Sequence, residues 1–112
     1  MFKRLWSRLF SSQNKILISQ DDDGKDVHAN TGDLVVLRLP SNPATGYLWM
    51  QGDTTAGHLE QVVHDQANKP GTEVLVTFVF KVAQTGDINL YYARPWDELA
   101  TPKRLFSVHV IC

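Results

Sequence analysis

Covalent or metal chemistry in this chain would have to come from His28, His58, His64 and His109, the single Cys112, or the run Asp21-Asp22-Asp23. The histidines are scattered, and none stands in the His-Glu-x-x-His spacing that puts two imidazoles on one zinc ion. The aspartates are adjacent, whereas a calcium loop alternates its acids and closes with a glutamate twelve positions on. They read as a solvated turn. One cysteine makes neither an internal disulfide nor a thiolate cluster, and no Gly-x-Ser-x-Gly elbow occurs. The expectation is a protein that is not an enzyme, with no catalytic residue, no metal and no cofactor. What remains is recognition, and two stretches carry its signature. In Asn42-Pro43-Ala44-Thr45-Gly46-Tyr47, Pro43 fixes φ and restricts Asn42 while Gly46 admits φ > 0, which predicts a stiff turn of one shape. In Arg94-Pro95-Trp96, a proline limits the freedom of the two side-chain types that most often dominate binding energy.

The elements that must hold these stretches read as strands. Ile16 to Ile18 is a first strand, with a short continuation at Val27 to Ala29. Leu34 to Leu39 is dense in β-branched residues and ends at Pro40. Tyr47 to Met50 follows, then a weaker strand from Leu59 to His64 with Leu59, Gln61 and Val63 on one face. Val74 to Val82 is the longest, and Val74, Val76, Phe78, Phe80 and Val82 make one uninterrupted apolar face. Ile88, Leu90 and Tyr92 continue the alternation, as do Phe106, Val108 and Val110. About seven short strands with turn signals between them predict an all-β fold, an immunoglobulin-like antiparallel β-sandwich. In such a succession alternate connections emerge at one end. The loops at 40–46, 66–72 and 94–103 therefore form one continuous edge, and each contains a proline.

The 112 residues, 43% hydrophobic, suit one domain able to bury a core without disulfides. A net charge of -1 offers no field to gather phosphates, so no nucleic acid is expected as partner. No run is long enough for a transmembrane segment. Residues 1–13 form a basic amphipathic arm ahead of a domain spanning 14–112. Phe2, Leu5, Trp6, Leu9 and Phe10 fall on one helical stripe beside Lys3, Arg4 and Arg8, which suits a helix lying on a membrane surface or a partner; the favoured expectation is a short helix or frayed arm packing on its own domain. The arm lacks the continuous apolar run of a signal peptide, so the expected location is the cytoplasm, with export left open as the alternative, and the expected state is a monomer.

The combination of Leu37 to Tyr47, the Phe78-Val79-Phe80 strand and Tyr92-Ala93-Arg94-Pro95-Trp96 resembles the chagasin family of cysteine protease inhibitors, from about Ile16 to the C-terminus. The resemblance implies reversible inhibition of papain-like cysteine proteases by occlusion. The loop matching Asn42, Pro43, Ala44, Thr45, Gly46 and Tyr47 would sit over the catalytic cysteine and histidine. Arg94, Pro95 and Trp96 would pack on one wall of the cleft, and the loop with Asn68, Lys69, Pro70 and Gly71 would lie along the other. Thr45 is expected to hydrogen-bond within its loop or to the enzyme, and Tyr47 to anchor the loop's base. Two positions depart from the family pattern. Ala44 stands where a threonine is common, and the middle loop keeps one glycine of the usual run. The alternative reading is an immunoglobulin-like adhesion or assembly module that uses the same edge for a partner other than a protease.

Overall fold

The computed structural model describes residues 14–65, 73–97 and 101–112. The arm expected at 1–13 and the middle-loop residues Asn68, Lys69, Pro70 and Gly71 lie outside the described residues. The centre of the molecule is β6 (Val74–Val82), whose alternation comes out as read: Val74, Val76, Phe78, Phe80 and Val82 are all buried. It lies between β3 (Leu34–Ser41) and β5 (Gly57–His64), and β1 (Lys15–Ser19) completes a sheet of order β1-β3-β6-β5. The second sheet is built from β2 (Asp26–His28), β4 (Leu48–Gln51), β7 (Gly86–Ala93) and β8 (Arg104–Ile111), in the order β2-β8-β7-β4. Ile88, Leu90 and Tyr92 of β7 and Phe106, Val108 and Val110 of β8 face the first sheet across one core. Each fully buried large side chain contributes roughly 1.5–3 kcal/mol from apolar burial.

The architecture is the expected β-sandwich, with eight strands among the described residues, in two mixed sheets instead of a wholly antiparallel set. β1 runs parallel to β3, and β2 parallel to β8. β1 and β2 run in opposite directions and lie in different sheets: the chain reverses and changes sheets through residues 20–25, which include the 3-10 turn Gln20–Asp22. Two strands in different sheets form no hairpin with each other, and each pairs in parallel with a neighbour in its own sheet. The three aspartates belong to this crossing. Asp22 Oδ2 accepts the Ser19 N–H at 2.9 Å, and Asp23 Oδ1 accepts the Ser107 N–H at 2.9 Å.

Two strand readings need correction. β3 does not stop before Pro40 but continues through it to Ser41. β1 pairs no further than Arg38, so β3 has no neighbour on that side at Pro40 and the missing N–H breaks no ladder. In β5 a bulge between Leu59 and Gln61 leaves Glu60 outside the register. Leu59 pairs with Phe80 and Val62 with Phe78, so Val62 shares the Leu59 face and Gln61 and Val63 do not. One extra residue inverts every later side chain in a two-residue repeat.

Candidate functional site

Strand direction decides which connections meet. β3 ends at Ser41, paired with Val74 at the start of β6, and β7 ends at Ala93, paired with Leu48 at the start of β4. Tyr92 pairs with Arg104 at the start of β8, and Asp65 donates its N–H to the Leu75 carbonyl at 3.1 Å. The stems of all three expected loops therefore stand at one pole.

The first loop holds its own shape. Pro43–Thr45 form a 3-10 turn, and Gly46 follows at φ +82°, in the left-handed region. The Asn42 carbonyl accepts the Thr45 N–H at 3.1 Å and the Thr45 hydroxyl at 2.7 Å. Thr45 Oγ1 in turn receives the Tyr47 N–H at 3.4 Å. Thr45 thus bonds within its loop, one of the two roles the sequence left open.

The third loop clamps the first. Arg94 Nε donates to the Thr45 carbonyl at 3.2 Å, and the guanidinium carbon lies 4.6 Å from the centre of the Tyr47 ring. A Cβ built on Gly46 would stand 2.5 Å from Cη2 of Trp96, so the indole lies against the glycine backbone. Gly46 is needed twice over, for its dihedral and for this approach. Trp96 nevertheless stays 72% exposed, so it is not a core residue. Asp97 donates its N–H to the Arg94 carbonyl at 3.1 Å, closing a tight turn around Pro95 and Trp96.

Beneath the loops lies an aromatic column that sequence reasoning credited only in part. Tyr47 stacks on Tyr92 with centroids 5.4 Å apart, and Tyr92 lies 5.0 Å from Trp49. Lys103 Nζ approaches the Tyr47 ring to 4.8 Å, and the Arg104 guanidinium the Trp49 ring to 6.0 Å. Such contacts contribute roughly 0.5–1.5 kcal/mol between rings and about 0.5–1 kcal/mol for exposed cations. The polar tips reach back to the loop stem: the Asn42 N–H donates to Tyr92 Oη at 3.1 Å, and Trp49 Nε1 donates to the Pro40 carbonyl at 2.9 Å. The second bond ties one sheet to the other. Tyr47 does anchor the base of the loop, but Tyr92, Trp49 and Lys103 share that work. Alternation marks Tyr92 as inward, and a buried phenol needs a polar partner; that was the available signal. Nothing local points to Asn42, fifty positions away.

Among the described residues, no group of three or more His, Cys, Asp or Glu side chains could hold a metal ion. His58 pairs with Glu60 and His109 with Asp87, both at the surface and on β5, β7 and β8 away from the loop pole. Ala44 is exposed on the 3-10 turn.

Fold and site together define a β-sandwich that presents a braced loop edge. The chain belongs to the chagasin family: the model of the chagasin family peptidase inhibitors (I42) matches residues 28–110. It is 28% identical over 103 residues to chagasin of Trypanosoma cruzi, covering 83% of this chain and 94% of that protein. It is 26% identical to amoebiasin-2 of Entamoeba histolytica over 102 residues, 85% of this chain and 83% of that protein. The fold is similar to that of the cysteine protease inhibitor EhICP2 of Entamoeba histolytica, with a TM-score of 0.78 at 24% identity over 88% of this chain and 96% of that one. A more distant likeness, TM-score 0.53 at 16% identity, is to PbICP-C solved in complex with falcipain-2, over 88% of this chain and 89% of that one.

Proposed function

We propose that this protein is a reversible inhibitor of papain-like cysteine proteases that plugs the catalytic cleft with the edge formed by loops 40–46, 66–72 and 94–103. Asn42 to Tyr47 enter over the catalytic pair, Arg94, Pro95 and Trp96 meet one wall, and Asn68, Lys69, Pro70 and Gly71 run along the other. The observation that carries this reading is the clamp between the first and third loops, Arg94 on Thr45 and Trp96 on Gly46. Two loops already clamped together lose little conformational freedom on docking, and the freedom lost by flexible loops is a main cost of association.

The same hydrogen bonds explain how a cleft can hold this loop without cutting it. Cleavage requires a scissile carbonyl whose oxygen is free to enter an oxyanion hole and whose carbon lies about 3–3.5 Å from the nucleophile. The Asn42 carbonyl already serves two donors from Thr45, and the Thr45 carbonyl already serves Arg94. Offering either to the enzyme would break the bonds that shape the loop. The aromatic column leaves Tyr47 unable to follow a peptide into extended geometry.

The test is a titration of papain or a cathepsin with this protein, read with a fluorogenic peptide. Competitive, reversible inhibition with the inhibitor recovered uncut is the expected result. Full enzyme activity at micromolar protein would remove the proposal.

A further inference from the structure

The outer face of the second sheet is apolar where it meets the loops. Tyr92 points into the core, so its neighbours Tyr91 and Ala93 lie on the outer face. Met50, Tyr91 and Leu105 occupy one rung across β4, β7 and β8, and Leu48 and Ala93 form another rung nearer the loop pole. Leu105 is 70% exposed and Leu48 36%. The third loop overhangs this face and leaves a cleft of about 380 Å³ lined by Met50, Tyr91, Ala93, Pro95 and Pro102, with Arg94 and Asp97 beside it. Of the seven large apolar side chains exposed among the described residues, Leu48, Leu75, Trp96 and Leu105 lie in the third loop or within three rungs of the loop pole. None lies in the turns of the other pole.

Exposed apolar side chains gathered beside a cleft mark an interaction surface more strongly than the same residues scattered singly. This strip is continuous with the docking edge, since Pro95 belongs to the cleft and its neighbour Trp96 to the edge. We infer that the Met50–Tyr91–Leu105 strip and the cleft under the third loop extend the contact with the target protease, receiving an apolar side chain from the surface that flanks its active-site groove. The occupant is the protease itself because a partner seated on Trp96 brings its adjoining surface over Pro95 and Met50. This inference rests on the reading of the loops as the docking edge. It also makes the strip a determinant of which protease is held: catalytic grooves must preserve their chemistry, while the surface beside them is free to vary.

Leu17 supplies a matched control, 72% exposed on the outer face of the other sheet and paired with Val36 in mid-strand. Leu105→Asp, Leu17→Asp and Trp96→Ala are each compared with wild type for inhibition constant and dissociation rate against one papain-like enzyme, and for thermal midpoint. The expected result is an inhibition constant raised about tenfold or more by Leu105→Asp, chiefly through faster dissociation. Leu17→Asp leaves it unchanged. An unaltered constant for Leu105→Asp, or a change no larger than that for Leu17→Asp, overturns the inference. If Leu105→Asp changes only the sedimentation of the free protein, the strip is a contact between copies and the inference is likewise overturned. Trp96→Ala separates the two readings: a loss there with no effect at Leu105 removes the strip and keeps the loops, whereas an unchanged constant for Trp96→Ala removes the loop edge and with it the inference.

Discussion

The two poles of the sandwich are closed by different means. At the pole away from the loops, backbone groups satisfy one another across the turns, and short polar side chains such as Thr55 and Thr85 accept the N–H groups left over. Gly32 donates to Val82 at 2.8 Å, Val82 to Asp33 at 2.9 Å, and Ala83 and Gln84 to Ala56 at 2.8 and 3.0 Å. Asp33, 4% exposed, accepts the Asn30 N–H through Oδ2 at 2.8 Å. At the loop pole, side chains do the closing: stacked Tyr47 and Tyr92, Trp49 bonded to Pro40, Arg94 on Thr45. Backbone closure is compact and leaves short polar tips. Side-chain closure works from below and beside, so it fixes long loops while their tips remain uncovered. A pole braced in the second way can be stiff and still carry an exposed tryptophan, which is what a plug requires.

If this contrast is correct, substitutions at the two poles separate affinity from stability. The largest effect on inhibition belongs to Trp96→Ala, which costs about 2 kcal/mol or more of binding, roughly thirtyfold in the inhibition constant, while the thermal midpoint hardly moves. A collapsed midpoint with normal binding by the surviving folded fraction would make Trp96 a structural residue. Gly46→Val comes next. A β-branched residue at φ +82° carries roughly 1–3 kcal/mol of strain and displaces the indole, so inhibition weakens by about tenfold. Unchanged affinity for that variant would mean that loop shape is not what the protease reads. Thr45→Val removes the hydroxyl bonded to the Asn42 carbonyl and is expected to cost about 1 kcal/mol of affinity, with inhibitor cleavage by the enzyme rising as that carbonyl loses one of its two donors. Mass spectrometry of the incubated mixture reports the cut. The smallest effect on inhibition comes from the far pole. Asp33→Ala orphans the N–H of Asn30 and lowers unfolding free energy by roughly 1–3 kcal/mol in urea, with the inhibition constant of the folded protein unaltered. A parallel loss of inhibition would show the two poles to be mechanically coupled.

Much of this was legible in the residues. Alternation is a property of the strand backbone, so the inward faces of β6, β7 and β8 could be read one strand at a time. The stiffness of the Asn42–Tyr47 turn could be read from Pro43 and Gly46, because φ restrictions are local. The parallel pairings, the bulge at Glu60 and the passage of β3 through Pro40 were not legible, since each depends on which neighbour lies alongside and how far it reaches. The same holds for the clamp. Gly46 and Trp96 are fifty positions apart, and neither residue type names the other.

The chain's own chemistry thus determined the strands, their buried sides and a turn able to keep one form, all consequences of φ, ψ and a two-residue repeat. Only the packed structure decided that Arg94 and Trp96 close upon Thr45 and Gly46, and that Tyr92 rises beneath Tyr47 to support them. Contacts between distant segments depend on strand order and register, which are set by the free energy of the whole core.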